Sequence, residues 1–342
     1  MAYASITKPS LHTNTKLYTG TGAAQSLTGL GFQPDWTWIK PRSYVDNNVL
    51  FDAVRGVDKR LISNDTNTES TVANMITAFD SDGFSIGDND NVSRNSETLV
   101  AWNWKANGAG SSNSDGTIGS HTVSVNTTAD FSIVEWTGTG DVRTIGHGLG
   151  VAPSMIIVKN RDASQNWLVY HKSLGATKYV RLNLNNAEGT SSAVWNDTEP
   201  TTSVFTVGTD GAVNANNEEM IAYCFADIKG YSKFGKYVGN VSADGSFVYT
   251  GFKPAFLMVK MTNGSSHWSM FDNKRLGYNT SNRVLYANET AAEETLDIDL
   301  LSNGFKCLTT DDKINDGTYI YMAFAAEPLV ANVGESIPAT AR

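Results

Sequence analysis

Apolar and polar side chains alternate along most of the chain, which predicts strands rather than helices. Three runs share one layout, in which a proline opens an apolar stretch that ends in lysine. These runs are residues 34–40, 153–159 and 254–260. Each is followed after a nearly constant distance, roughly 70 residues from the proline, by an apolar stretch that ends in an aromatic residue. Those aromatic residues are Trp104, Phe225 and Phe324. The spacing predicts a threefold internal repeat.

Within the three runs, one strand face carries large apolar side chains in every copy. The residues on this face are Trp36 and Trp38, Met155 and Ile157, and Phe256 and Met258. The position between each pair is Thr37, Ile156 or Leu257, so the opposite face is apolar in two of three copies. The pattern predicts a central strand that is partly covered on both sides.

Shorter alternating runs complete about seven predicted strands in each copy, a number that suits a β-sandwich and exceeds the four strands of a propeller blade. The last two strands of each copy are predicted to pair as a closing hairpin, because the residues between them are rich in Asn, Asp and Gly. The hairpin loops are expected around residues 88–95, 209–216 and 309–315.

The predicted fold class is therefore all-β, with three tandem antiparallel β-sandwich repeats. The predicted boundaries are an N-terminal arm at 1–15, the first repeat at 16–105, a linker rich in Gly, Ser and Asn at 106–117, the second repeat at 118–228, the third at 229–328 and a C-terminal tail at 329–342. The sequence leaves open whether the repeats are separate domains or share sheets.

Composition narrows the function classes. The formal net charge is −9, so the surface repels phosphate backbones and nucleic acid is not an expected partner. The chain has no apolar run of 18 residues and no apolar leader, so we expect neither membrane insertion nor a secretory signal. Cys224 and Cys307 lie at non-equivalent places of two copies and are predicted to be free, buried thiols.

Candidate catalytic groups do not form a recognisable set. The five histidines, His12, His121, His147, His171 and His267, lack metal-ligand spacing. Asp297 and Asp299 alternate as the carboxylates of a sandwich-fold glycosidase do, but the next alternating position is Leu301 and the other copies lack the pair. The protein is therefore expected not to be an enzyme.

Two acidic loops form a candidate cation site. The carboxylates of Asp80, Asp82, Asp88 and Asp90 could hold Ca²⁺ through oxygen ligands, but their spacing differs from that of a helix-loop-helix site. A solvated turn is the favoured interpretation, and no cofactor is expected.

Three aromatic residues in polar segments are candidate contacts with a ligand or another subunit. Tyr44, Trp195 and Tyr278 could stack on sugars from exposed loops. They could equally be packing anchors between repeats or subunits.

Several motifs resemble a family of virion proteins of tailed, mostly marine, bacteriophages over essentially the whole chain. Examples are Lys16-Leu-Tyr-Thr-Gly-Thr-Gly22, Phe79-Asp-Ser-Asp-Gly-Phe84, Gly146-His-Gly-Leu-Gly150, Lys229-Gly-Tyr-Ser-Lys-Phe234 and Tyr319-Ile-Tyr-Met-Ala-Phe-Ala325. The resemblance implies concanavalin-like jelly-roll repeats and a structural protein on the virion surface, assembled in the host cytoplasm.

The resemblance favours a tail fibre or tail appendage. The alternatives are a decoration or cement protein on the head and a lectin-like module that binds host-surface glycans. The expected partners are other virion proteins and copies of the same chain, with a trimer expected by analogy.

Overall fold

The computed structural model describes residues 4–276 and 281–328. Strands dominate the described residues, and the pairings between named strands are antiparallel, so the predicted all-β class is confirmed. The strands fall into three groups along the chain, at residues 13–104, 111–225 and 232–328, called here the first, second and third strand groups.

The first strand group forms two sheets. Its strands are β1 (Thr13–Thr19), β2 (Gln25–Thr28), β3 (Trp36–Pro41), β4 (Val49–Asp52), β5 (Lys59–Ile62), β6 (Ser70–Thr71), β7 (Ile76–Asp80), β8 (Gly83–Ile86) and β9 (Thr98–Trp104). The main sheet has the order β1-β9-β3-β4-β5-β6, and the smaller sheet has the order β2-β8-β7.

The second strand group repeats this order and adds two strands at the edge. Its strands are β10 (Ser111–Asn113), β11 (His121–Asn126), β12 (Phe131–Thr137), β13 (Arg143–Gly146), β14 (Met155–Asn160), β15 (Leu168–His171), β16 (Lys178–Arg181), β17 (Gly189–Thr190), β18 (Val204–Val207) and β19 (Glu219–Phe225). The main sheet runs β10-β11-β12-β19-β14-β15-β16-β17, and β13 pairs with β18.

In the third strand group, the strands of both layers are hydrogen-bonded into one continuous sheet. Its strands are β20 (Ser232–Val238), β21 (Phe247–Tyr249), β22 (Phe252–Met261), β23 (Trp268–Asp272), β24 (Ser281–Tyr286), β25 (Glu294–Leu301), β26 (Gly304–Cys307) and β27 (Thr318–Pro328). The order is β20-β27-β22-β23-β24-β25-β26-β21.

Helical structure is limited to single turns in the described residues. A 3-10 turn covers Pro9–Leu11, and the α-helical turns are α1 (Asp90–Ser93), α2 (Ser192–Trp195) and α3 (Gly211–Asn214). Each α-helical turn begins after a side chain that accepts a hydrogen bond from a backbone N–H, which satisfies one donor of its first turn. The capping residues are Asn89, Ser191 and Asp210.

The predicted closing hairpins are wrong, although their strands exist. β8 pairs with β2 and β7, whereas β9 pairs with β1 and β3. The two strands lie in opposite layers because Phe84 of β8 and Leu99 of β9 pack into the same core from its two sides. In the first two groups the predicted loop instead crosses between layers through the turns α1 and α3.

Strands β3, β14 and β22 are the predicted central strands, and their two faces are buried more completely than the partial cover expected from the sequence. The paired face belongs to one core shared by all three groups, which we call the central core; it includes Trp38, Ile157 and Met258. The opposite face points into a core within each group, where Ile156 and Leu257 pack.

Aromatic rings join the groups within the central core. Trp36 stacks on Tyr223 with ring centroids 4.4 Å apart, which links the first and second groups. Trp104 meets Phe256 edge-on at 5.4 Å, and Phe225 meets Phe324 at 6.0 Å. Each pair of groups therefore has its own aromatic contact.

The segments predicted as arm and linker are packed against the groups. Ile6 lies in the central core. In the predicted linker, β10 pairs with β11, and Gly116 bridges to Ile145 at the edge of β13. The predicted C-terminal tail at 329–342 lies outside the described residues.

Replacing Ile157 with Ala should lower the free energy of unfolding by about 2–5 kcal/mol, because the fully buried side chain leaves a cavity in the central core. Urea denaturation followed by tryptophan fluorescence measures this loss. Val238→Ala is the control, since that side chain is 67% exposed and should change stability by no more than about 0.5 kcal/mol. Equal effects of the two changes would contradict the shared core.

Candidate functional site

The three strand groups meet at three contacts, which we call the first–second, second–third and third–first seams. Buried polar side chains join the groups at each seam. In each seam, a residue at the start of a short strand donates a side-chain N–H to a backbone carbonyl of another group: Asn48 and Trp167 precede β4 and β15, and Trp268 is the first residue of β23. The bonds are Trp167 Nε1 to Ile62 O (2.8 Å), Trp268 Nε1 to Arg181 O (2.8 Å) and Asn48 Nδ2 to Tyr286 O (3.1 Å). The three acceptors hold the same register against their partner strands, so the contact is cyclic.

The first–second seam is built on a buried ion pair. Arg55 donates from Nε to Asp52 Oδ2 at 2.6 Å, and both side chains are fully buried. Tyr223 of the second group donates its hydroxyl to the same oxygen at 2.7 Å. Glu69 accepts from Arg55 at 3.1 Å and from both Nε and Nη2 of Arg161, at 2.9 and 3.0 Å. Burial raises the pKa of the Tyr223 hydroxyl and keeps it a donor.

The third–first seam repeats this network with equivalent residues. Arg275 donates to Asp272 Oδ2 at 2.7 Å, and Trp102 takes the place of the tyrosine, with Nε1 3.0 Å from the same oxygen. Glu293 accepts from Arg275 at 3.2 Å and from Arg42 of the first group at 3.0 Å. Buried charges are paired here, which limits the cost of removing them from water.

The second–third seam replaces the acid and the arginine together. His171 stands at the position of Asp52, and Leu174 stands at the position of Arg55. The ring bonds with the Tyr321 carbonyl through Nε2 at 3.2 Å and accepts from the Ser173 N–H through Nδ1 at 3.1 Å. This arrangement fits the neutral ring, and burial lowers the pKa of His171 to about 4.

Three buried lysines end the central strands. Lys40, Lys159 and Lys260 donate to backbone carbonyls of nearby loops, and Lys159 and Lys260 reach across a seam to Thr66 O and Asn185 O. Burial lowers the pKa of Lys40 and Lys260 to about 7 and that of Lys159 to about 8. Their ammonium groups donate hydrogen bonds to loop carbonyls and so join the loops to the central strands.

Two of the predicted contact aromatics are buried, so their expected exposure on loops is wrong. The Tyr44 ring is 8% exposed, donates its hydroxyl to Asp90 O at 2.5 Å and lies under the Arg94 guanidinium. Trp195 is 2% exposed in α2 and packs edge-on against Tyr170 in the core of the second group. Both are packing anchors inside one group. Tyr278 lies outside the described residues.

The acidic candidates do not converge. Asp297 and Asp299 alternate on the outward face of β25, as predicted, while Leu296, Ile298 and Leu300 face inward. Asp82 accepts from the Gly29 and Gly31 N–H groups, at 3.1 and 2.6 Å. Within residues 4–276 and 281–328, no group of three or more His, Cys, Asp or Glu side chains is arranged to hold a metal ion.

The two cysteines are free and buried, as predicted, and burial raises the pKa of both thiols. None of the helical turns in the described part of the chain is long and apolar enough to cross a membrane.

Sequence reasoning missed two kinds of residue. Phe247 and Tyr249 of the edge strand β21 are 48% and 54% exposed, although their alternation around the buried Val248 was a visible signal. The buried ion pairs were also detectable, because Asp and Arg recur three residues apart at equivalent places of two copies.

A comparison with protein families matches residues 8–328 to a family described as a domain of unknown function, DUF7483. No curated protein matches the chain.

Replacing Arg55 with Leu should lower the free energy of unfolding by about 3–5 kcal/mol, since Asp52 would stay buried without its cation. Adding Asp52→His transplants the pair found at the second–third seam. The double variant should therefore be more stable than Arg55→Leu alone, as measured by urea denaturation. If the double variant shows the summed loss of the two single changes, the pairs are not interchangeable units.

Acid should destabilise the protein through His171. Its folded-state pKa of about 4 lies below the unfolded value of about 6.5, so its contribution is complete above pH 6.5 and is lost as the pH falls through 4. The stability difference between the native chain and His171→Gln, which stays neutral, should shift by about 3 kcal/mol between pH 7 and pH 4. Urea titrations at both pH values test this, and an unchanged difference would contradict the neutral buried ring.

Proposed function

We propose that this chain, which belongs to the DUF7483 family, is a non-enzymatic structural protein on the surface of a bacteriophage particle. A tail fibre or tail appendage component is the favoured role. Its partners would be other virion proteins and further copies of itself.

The observation that carries the proposal is the shared central core. Residues of all three groups, among them Trp38, Ile157 and Met258, bury their side chains in it. At the seams, charged side chains pair with one another within a group and between groups, rather than gathering around one open cleft. A block built in this way suits a passive part that must withstand unfolding and proteolysis outside a cell.

We further propose that the three groups are tandem jelly-roll repeats of the concanavalin type. The support is the recurring strand order of the main sheets: β1-β9-β3-β4-β5, β12-β19-β14-β15-β16 and β20-β27-β22-β23-β24. The smaller layer also recurs, because β2, β13 and β21 pair with β8, β18 and β26.

Mass spectrometry of purified virions tests the role. The chain should be present in a fixed copy number, and electron microscopy of particles carrying a tagged copy should place the tag on the tail. Purified particles that lack the chain would overturn the proposal. A tag on the head surface would keep the structural role and overturn the tail assignment.

A further inference from the structure

The second–third seam contains a cavity of about 230 Å³ where the other two seams hold arginine side chains. Its lining includes Leu174, Glu188 and Thr262. Leu174 stands where the first group has Arg55. The backbone fixes the other two positions: the Glu188 N–H donates to Thr262 O at 2.8 Å, just as the Glu69 N–H donates to Arg161 O at 2.7 Å.

In the filled seams, the equivalent glutamate is enclosed by two guanidinium groups. Glu69 accepts three hydrogen bonds from Arg55 and Arg161, and Glu293 accepts three from Arg42 and Arg275. A carboxylate and a guanidinium fit each other because two parallel N–H groups can meet two oxygens.

Glu188 keeps only part of this arrangement. Lys178 pairs with its Oε1, and within the described part of the chain no donor bonds to Oε2. The two guanidinium positions are taken by Leu174 and Thr262, which are too short to reach the carboxylate as an arginine does. The space and one carboxylate oxygen remain.

We propose that this cavity binds a guanidinium group, supplied by an arginine side chain of another protein or by free arginine. The carboxylate of Glu188 would accept the paired N–H groups at Oε2 and at Oε1, and it would share Oε1 with Lys178 as the two arginines of the first–second seam share Glu69 Oε2. The apolar side chains of Leu174 and Ile320 would border the aliphatic stem. The site follows from the comparison of the three seams and does not depend on the virion role.

Lys236 sets the strength of this site. Lys236 lies on β20, opposite Ile320 of β27. Glu135 holds the same register in the second group, opposite Ile221, and forms an ion pair with Arg161 there. Lys236 therefore adds to Lys178 a second ammonium in the cavity lining, at a position where the first–second seam has a carboxylate. Reversing this charge should strengthen guanidinium binding.

Isothermal titration calorimetry with N-acetylarginine amide tests the proposal. The native chain should show saturable binding, and Lys236→Glu should bind about tenfold more tightly. Thr262→Arg should abolish binding, because the new arginine occupies the place that Arg161 takes beside Glu69. N-acetyllysine amide should bind at least about tenfold more weakly, since it lacks the planar pair of donors.

Lys233→Glu, on the same strand but outside the cavity lining, is the matched charge control and should leave the affinity unchanged. Binding that survives Thr262→Arg, or that tightens equally in Lys233→Glu, would overturn the site. So would absent binding to both the native chain and Lys236→Glu. Free arginine distinguishes the sources: tighter binding than the amide assigns the amino acid, and equal or weaker binding assigns a protein side chain.

Discussion

Burial of both faces of the central strands is the constraint on which the structure depends. A sheet with one solvent-exposed face needs a core on its other face only. By contrast, β3, β14 and β22 carry apolar side chains toward two different cores. Each large side chain hidden from water contributes about 1.5–3 kcal/mol. If one group separated from the others, its part of the central core, such as Trp36 and Trp38 of the first group, would be exposed to solvent. The three groups are therefore bound together by the same surface that each needs to cover.

Polar contacts then set how the groups meet. The cyclic bonds from Trp167, Trp268 and Asn48 fix one register at every seam. The first–second and third–first seams each pair an aspartate with an arginine. At the second–third seam, His171 and Leu174 stand in their places, so the charge and its partner change together. This agrees with the high cost of a buried charge that loses its partner. The seams are consequently similar in shape and different in chemistry, and the second–third seam has a cavity at the position of the arginine side chains of the other two.

The sequence predicts the strand positions well, because alternation of side chains is a local property. It also predicts which side chains of the central strands are buried, since the paired face is large and apolar in each copy. Strand pairing is a tertiary property, and the Asn- and Asp-rich loops that suggested hairpins instead cap helical turns at Asn89 and Asp210. Tyr44 and Trp195 stand in polar segments, so only the fold reveals that their rings turn inward. The seam networks join residues distant in the chain, and no local pattern predicts which of them touch.

Native-state hydrogen exchange tests the central claim most directly. If the groups share one core, the slowest amides of β3, β14 and β22 should exchange with the same free energy of opening, equal to the global free energy of unfolding. The three free energies should stay equal to one another and fall together as the urea concentration rises. If the amides of one central strand exchanged at a clearly lower free energy while the other two stayed protected, that group would unfold on its own and the shared core would not unite the three.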